Sequence, residues 1–281
     1  MTSALEYAIK TPPQHGPWAD FLAVWREADQ MDVFESAWTM DHFYPLVPPT
    51  EGPHLESWTM LAALGQATNR LRFGCMVNGM HYRHPAVTAN MAATVDHISG
   101  GRFSLGMGAG WFELESNAYG IPLGTMTERF DRFDEGLAVI TSLLTNEVTD
   151  FEGRYYTLRN ARCEPKPLQS PIPLVIGGKG LKRTLRSVAR FADHWDYVMP
   201  ASPQAWSAAN DVLAEHCARE GRDPATIRRS VHLSWAPDAD PAALAADAAG
   251  YGEAGVDLVI FSMRGPYEVR LLEPLAEALR A

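Results

Sequence analysis

Cysteine is scarce in this chain: Cys75, Cys163 and Cys217 are the only three, widely spaced and without a CxxC pair. That pattern supports neither a disulfide framework nor a zinc site, and it fits a reducing cytoplasm. Basic residues are also few, 24 Lys and Arg against 34 Asp and Glu, for a formal net charge of −10. The balance argues against a general nucleic-acid binder and against a membrane-surface protein, because both reward a basic face. Any anionic ligand must therefore meet a local basic patch. No apolar run approaches the ~18 uninterrupted residues of a membrane span, and the opening MTSALEYAIKTPPQ has no hydrophobic signal region. The strings HExxH and GxSxG are missing, and no cysteine adjoins a histidine pair. Metal-assisted hydrolysis and serine or cysteine nucleophiles thus lack support, no metal is expected, and a bound organic cofactor is the better candidate.

The 281 residues are 46% hydrophobic and 21% charged, enough apolar material for a full core. Short apolar or alternating runs are interleaved with longer segments of helical period, the pattern of repeated βα units. Eight strands are predicted, at Leu5–Lys10, Val33–Met40, Leu71–Val77, Phe103–Gly108, Leu174–Gly177, Trp195–Met199, Val231–Trp235 and Leu258–Met263. Eight such units predict an α/β fold of the (β/α)8 TIM-barrel type, one domain over residues 1–281. Within Met126–Leu144, Phe130, Phe133, Leu137, Ile140 and Leu144 share one helical face that should cover the barrel wall. Pro85 suits a first helical turn, and the glycines of SGGR at 99–102 suit its end. Two connections exceed ordinary loops. Phe43–Ser57 holds four prolines after the second strand, and the stretch around Phe151–Pro173 separates the fourth helical layer from strand 5, where FEGRYYTL suits a hairpin with Gly153 in its turn.

Four segments carry residues suited to chemistry. WTMDHFYP ends the second strand with Asp41 and His42, where a histidine can move a proton and an adjacent carboxylate can orient it or bind a ligand N–H. The same dipeptide also suits a helix-capping acid beside a satisfied histidine. FGCMVNGMHYRHPAV leaves the third strand open to a flat ligand, or is an ordinary strand-to-helix loop. In SLGMGAGW, Gly106, Gly108 and Gly110 remove every second side chain, so a ring could lie against bare backbone, unless the glycines serve only packing. Finally, LVIGGKGLKRTLRSVAR runs a strand into Gly177, Gly178 and Gly180 and then into a helix. Five Lys or Arg fall between Lys179 and Arg190 with no acid, which makes either an anion cradle or a solvated basic helix.

Taken together, WTMDHFYP, YRHPAV, ISGGRFSLGMGAGW, FEGRYY and VIGGKGLKRTLRSVARFADHW resemble the bacterial luciferase-like monooxygenase superfamily. The resemblance runs from about Leu5 to Met263 and is greatest to the branch of oxidoreductases that use the deazaflavin coenzyme F(420). It implies a barrel with an insertion before strand 5 and hydride transfer between that coenzyme and a small organic substrate. By the same resemblance, Asp41 contacts the deazaflavin and His42 is the catalytic residue beside its reactive carbon. Cys75 and Met76 are joined by a non-prolyl cis peptide forming a bulge behind the ring. Asn78 is a polar contact, Gly108, Ala109 and Gly110 line the ring, and Gly177, Gly178 and Lys179 hold the phosphate. Some relatives place a glutamate acid where this chain has Gln14, so proton delivery falls to His42, His15 or the substrate itself. Trp38, Phe43, Tyr44, Tyr82 and Trp111 are expected to give an apolar mouth. A homodimer is expected. An FMN-dependent monooxygenase using oxygen, and a barrel that binds the cofactor without turnover, are the alternatives.

Overall fold

Parallel pairing organises the chain. The computed structural model describes residues 5–281. Residues 1–4, on which part of the expected domain and of the reading of the opening segment falls, lie outside the described residues. The strands are β1 (Glu6–Lys10), β2 (Phe34–Thr39), β3 (Arg72–Cys75), β4 (Asn78–Gly79), β5 (Phe103–Gly108), β6 (Thr149–Glu152), β7 (Thr157–Ala161), β8 (Leu174–Gly177), β9 (His194–Tyr197), β10 (Arg228–Trp235) and β11 (Leu258–Met263). The helices are α1 (Trp18–Ala28), α2 (Ser57–Ala67), α3 (Pro85–Ser99), α4 (Glu113–Ala118), α5 (Met126–Thr145), α6 (Thr184–Phe191), α7 (Pro203–Glu220), α8 (Pro241–Glu253) and α9 (Leu272–Arg280). None is long and apolar enough to cross a membrane.

Hydrogen bonds link the strands in the order β3-β2-β1-β11-β10-β9-β8-β5, and β5 pairs back onto β3, so eight parallel strands close a TIM-like barrel. Register alternates the side chains between two environments. On β1, Ile9 joins the large core between barrel and helices, whereas Ala8 joins Trp38, Met76, Val175, Leu258 and Ile260 inside the barrel. Trp38 is therefore barrel filling and not part of an aromatic mouth. It is 2% exposed and donates to Ser36 Oγ at 2.9 Å.

The local signals read from the sequence operate as expected. Pro85 opens α3, His84 caps it through the Ala86 amide, and Gly100 ends it at φ 66°. The capping box of Thr125 and Glu128 starts α5, which buries Phe133, Leu137, Ile140 and Leu144; Phe130 is only half-buried. The insertion before the fifth barrel strand is the antiparallel β6–β7 hairpin, turning at Gly153, whose amide donates to Tyr156 O at 2.9 Å. Glu135 on α5 fastens that turn by accepting from the amides of Arg154, Tyr155 and Tyr156.

Three expected strands are altered, and the simplest change is β10, which begins at Arg228, three residues before the expected Val231. Trp195–Met199 is cut short at Tyr197, before Met199, whose φ of 46° is incompatible with an extended ladder. The expected run Leu71–Val77 ends at Cys75 and resumes only at Asn78. The cis bond lies between Met76 and Val77, one residue beyond the expected Cys75–Met76 link. The Met76 amide still donates to Thr39 O at 3.0 Å, so the ladder with β2 runs through the Cys75–Met76 link and the chain departs only after it. The departure fills space that glycines leave vacant. A Cβ on Gly106 would lie 1.9 Å from Cys75 O, and Cβ atoms on Gly108 and Gly177 would lie 2.7 and 2.8 Å from the Val77 methyls.

Gly106→Ala should accordingly be severe, because the clash is with backbone and no flexible side chain can yield. A loss of at least about 3 kcal/mol in a urea melt is expected. An unchanged midpoint would overturn this packing account.

Candidate active site

The C-terminal ends of the barrel strands surround a cavity of about 620 Å³. Asp41, His42, Met76, Asn78, Gly108, Ala109, Gly110, Gly177, Gly178 and Lys179 all line it, and Cys75 does not. Strand alternation explains the exception: Met76 faces the barrel interior, while Cys75 is packed in the outer core near Thr39 and Ser57. Burial pushes that thiol far above its ordinary range.

His42 is held by a residue the sequence reading did not single out. Its Nδ1 lies 2.5 Å from Oε1 of Glu115, a fully buried acid on α4. Glu115 also accepts from the Phe43 amide at 2.7 Å, the Tyr44 amide at 3.3 Å and the Tyr82 hydroxyl. Burial pushes this carboxyl upward, but the hydrogen bonds from His42, Tyr82 and Phe43 outweigh burial and hold it below the ordinary carboxylate range. A carboxylate on Nδ1 fixes that atom as the N–H and leaves Nε2, which has no protein partner among the described residues, as the basic atom. The ring stands edge-on to Trp111 and Phe112, each 5.7 Å away.

The carboxylate neighbouring His42 in sequence has other work. Asp41 is bound bidentately by Arg83 at 2.7 and 3.1 Å, and Arg83 reaches Glu56 at 2.9 Å. Burial pushes the Asp41 carboxyl upward, and Arg83 reverses only part of the shift. Gln14 and His15 brace the proline-rich loop by bonding Leu46 N and Val47 O at 2.8 and 2.7 Å, and neither lines the cavity. His15 is therefore not a proton donor there.

The alternating glycines face less open space than a bare-backbone platform implies. Cys75 O, a Val77 methyl and the His81 ring occupy the places of the missing side chains at Gly106, Gly108 and Gly110. The shelf presented to the cavity is Met76–Val77, with Gly108 and Ala109 at its edge. Beside it, Asn78 donates from Nδ2 to Gly106 O at 2.7 Å, while its Oδ1 is buried without a partner.

The basic run after β8 is largely neutralised. Arg183 pairs with Asp131 at 2.6 Å and Asp134 at 3.4 Å, Arg186 with Asp134 at 2.7 Å, and Arg190 with Glu220 at 3.9 Å. Arg183 and Arg186 thus tie α6 to α5 and leave Lys179 as the cation of that run on the cavity. The Gly178 amide is taken by Asp196 O at 3.0 Å, whereas those of Lys179 and Gly180 have no acceptor among the described residues. A second cation arrives from α5: Arg129 lines the cavity, donates to Gly110 O at 3.1 Å and has a buried Nε without a partner.

The profile described as Luciferase-like monooxygenase matches residues 4–278. The chain is 33% identical over 213 residues to the phthiodiolone/phenolphthiodiolone dimycocerosates ketoreductase of Mycobacterium kansasii, covering 69% of this chain and 57% of that longer protein. It thus spans little more than half the length of this curated relative. An F(420)-dependent secondary alcohol dehydrogenase, in complex with an F(420)-acetone adduct, matches with a TM-score of 0.83 over 99% of both chains at 20% identity. The coenzyme F(420)-dependent tetrahydromethanopterin reductase from Methanopyrus kandleri matches with a TM-score of 0.80 over 98% of both chains at 17% identity. The structural likenesses are to the barrel with its inserted hairpin, and the family match runs over nearly all of these residues: the chain belongs to the luciferase-like monooxygenase family.

Proposed function

We propose that this protein moves a hydride between coenzyme F(420) and the carbon of a ketone or secondary alcohol, with His42 exchanging the proton on the substrate oxygen. The observation that carries the reading is the coexistence, in one cavity, of the His42–Glu115 pair and the cationic Gly177–Gly180 turn with Arg129. The substrate class is taken from the ketoreductase and alcohol dehydrogenase relatives.

The residues present fit the coenzyme. The cavity volume is within the range of cofactor pockets, and the unpaired Asn78 Oδ1 and Arg129 Nε are buried polar atoms that a ligand's N–H and phosphate oxygens would complete. When bound, the deazaflavin supplies a ring carbon that gives or takes a hydride. Met76, Val77, Gly108, Ala109 and Gly110 would support the ring, and Asn78 would accept from it. Gly177, Gly178, Lys179 and Arg129 would surround the phosphate. Asp41 would act on the ring from its pair with Arg83, and Cys75 would act only by anchoring the bulge. For alcohol oxidation, His42 Nε2 takes the hydroxyl proton as the carbon loses its hydride; for ketone reduction the doubly protonated ring returns it. Glu115 keeps the imidazole in the required tautomer and stabilises its charged form.

The same reading includes one domain over residues 1–281, a cytoplasmic location in keeping with three buried, unpaired cysteines, and a homodimer that sedimentation would test. Paired titration with the deazaflavin and with FMN, followed by anaerobic turnover of a secondary alcohol, tests the function. Deazaflavin binding and oxygen-independent turnover are expected. FMN binding alone, or strict oxygen dependence, would favour the monooxygenase; binding without turnover across an alcohol series would favour the non-catalytic barrel.

A further inference from the structure

The barrel interior below the Met76–Val77 shelf holds charged groups that the proton path does not use. Lys10, the last residue of β1, is 7% exposed and lines the cavity. Its ammonium donates to Met76 O at 2.7 Å. An ammonium carries three donors, and no second acceptor for Lys10 occurs among the described residues. The opposite charge that acts most on it, Asp196, is engaged through one oxygen only: Oδ1 accepts from Ser230 Oγ at 2.8 Å and lies 3.1 Å from His232 Nε2, while Oδ2 is buried without a partner and makes no hydrogen bond to Lys10. His232 Nε2 also lies 3.4 Å from Met76 Sδ, so the shelf rests on both Lys10 and His232. Burial pulls Lys10 downward from the ordinary lysine value, while the charge of Asp196 draws it back.

Such an arrangement is not ordinary core packing. The inward layer one step below is apolar at Ala8, Val175 and Ile260, with His232 beside Ile260, and a buried ammonium with unfilled donors is costly unless something completes it. The transfer proposed above creates a matching need. A hydride carries two electrons with its proton, so the accepting ring becomes one unit more negative, while the oxidised substrate gives its hydroxyl proton to His42. His42 neutralises nothing on the ring.

We propose that Lys10 is a cofactor-contacting residue whose free N–H donors bind the polar edge of the bound ring and favour its reduced, more negative form over its oxidised form. This rests on the deazaflavin reading. The competing role, a brace for the Met76 carbonyl alone, would affect both redox forms alike, and that difference makes the two separable.

The test compares dissociation constants of oxidised and reduced F(420) for the wild type and Lys10→Met, measured anaerobically by fluorescence and absorbance, with thermal melts as a check on folding. The wild type is expected to bind the reduced form more tightly. In Lys10→Met that preference should fall 10- to 100-fold while affinity for the oxidised form changes less than about threefold. Each tenfold change in the ratio is about 30 mV in the midpoint potential of the bound two-electron couple. Equal weakening of both forms, or no change in either, would overturn the proposal. Should Lys10→Met fail to fold, the ¹⁵Nζ resonance of Lys10 in the wild type decides: it should move on adding reduced but far less on adding oxidised coenzyme, and equal movement is the contrary result. If the wild type binds neither form, the coenzyme reading fails instead, and the same ratio with reduced and oxidised FMN decides the role of Lys10.

Discussion

Turnover of His42→Ala is expected to fall by about 10²–10⁴-fold with coenzyme affinity changed only a few-fold, because a positioned acid–base group contributes on that scale to a proton in flight and little to ground-state binding. The geometry makes the substitution clean. Glu115 keeps the Phe43 and Tyr44 amides and the Tyr82 hydroxyl after the imidazole is gone, so its buried charge is not abandoned. Glu115→Gln should reproduce part of the loss, since an amide can accept the Nδ1 proton but cannot stabilise the charged imidazolium. Stopped-flow hydride transfer, measured beside coenzyme dissociation constants, checks both variants. Near-normal rates in His42→Ala would mean that solvent or the substrate carries the proton.

The second large effect concerns the anion end. Arg129→Glu should weaken coenzyme binding by about 2–4 kcal/mol, roughly 30- to 1,000-fold, because it reverses a half-buried charge beside an unpaired Nε. Lys179 is exposed, so Lys179→Glu should cost nearer tenfold and fade as salt rises. Arg183→Gln should leave affinity unchanged, since its guanidinium is spent on Asp131 and Asp134. Isothermal titration at two ionic strengths gives all three numbers. Equal losses from Arg183 and Arg129 variants would place the phosphate on α6 instead of between α5 and the strand-end turn.

What the sequence made legible was whatever depends on near neighbours. The barrel strands followed from short apolar runs, α3 from Pro85 and Gly100, and the hairpin from Gly153 between β-forming residues, because each signal acts within a few positions. The cavity residues at the strand ends were legible through the family resemblance and the order of strands. Pairings across the chain were not. The basic run from Lys179 to Arg190 contains no acid, yet its counter-charges Asp131 and Asp134 sit about fifty positions earlier on α5. Glu115, 73 positions from His42, stands in WFELES as one acid among two, and no spacing rule marks it out. The polar interior hid for another reason: a lysine at a strand end reads as a solvated edge, and only barrel closure shows that Lys10 points inward. The glycines were found for the right location and a different cause, since the bulge that fills their vacant side-chain space comes from another strand.

Strand β1 pairs with β11 residue for residue, from Glu6 opposite Leu258 to Lys10 opposite Ser262. During synthesis the first barrel strand leaves the ribosome some 250 residues before its partner exists, so one edge stays unpaired while all of those residues are made. The nascent chain must shield that edge or leave it to a chaperone, and contacts of such long sequence separation make the final closure slow compared with the formation of any single βα unit. Completion of the barrel therefore waits on β11: Lys10 acquires its neighbour Ser262 only after every intervening strand has been made.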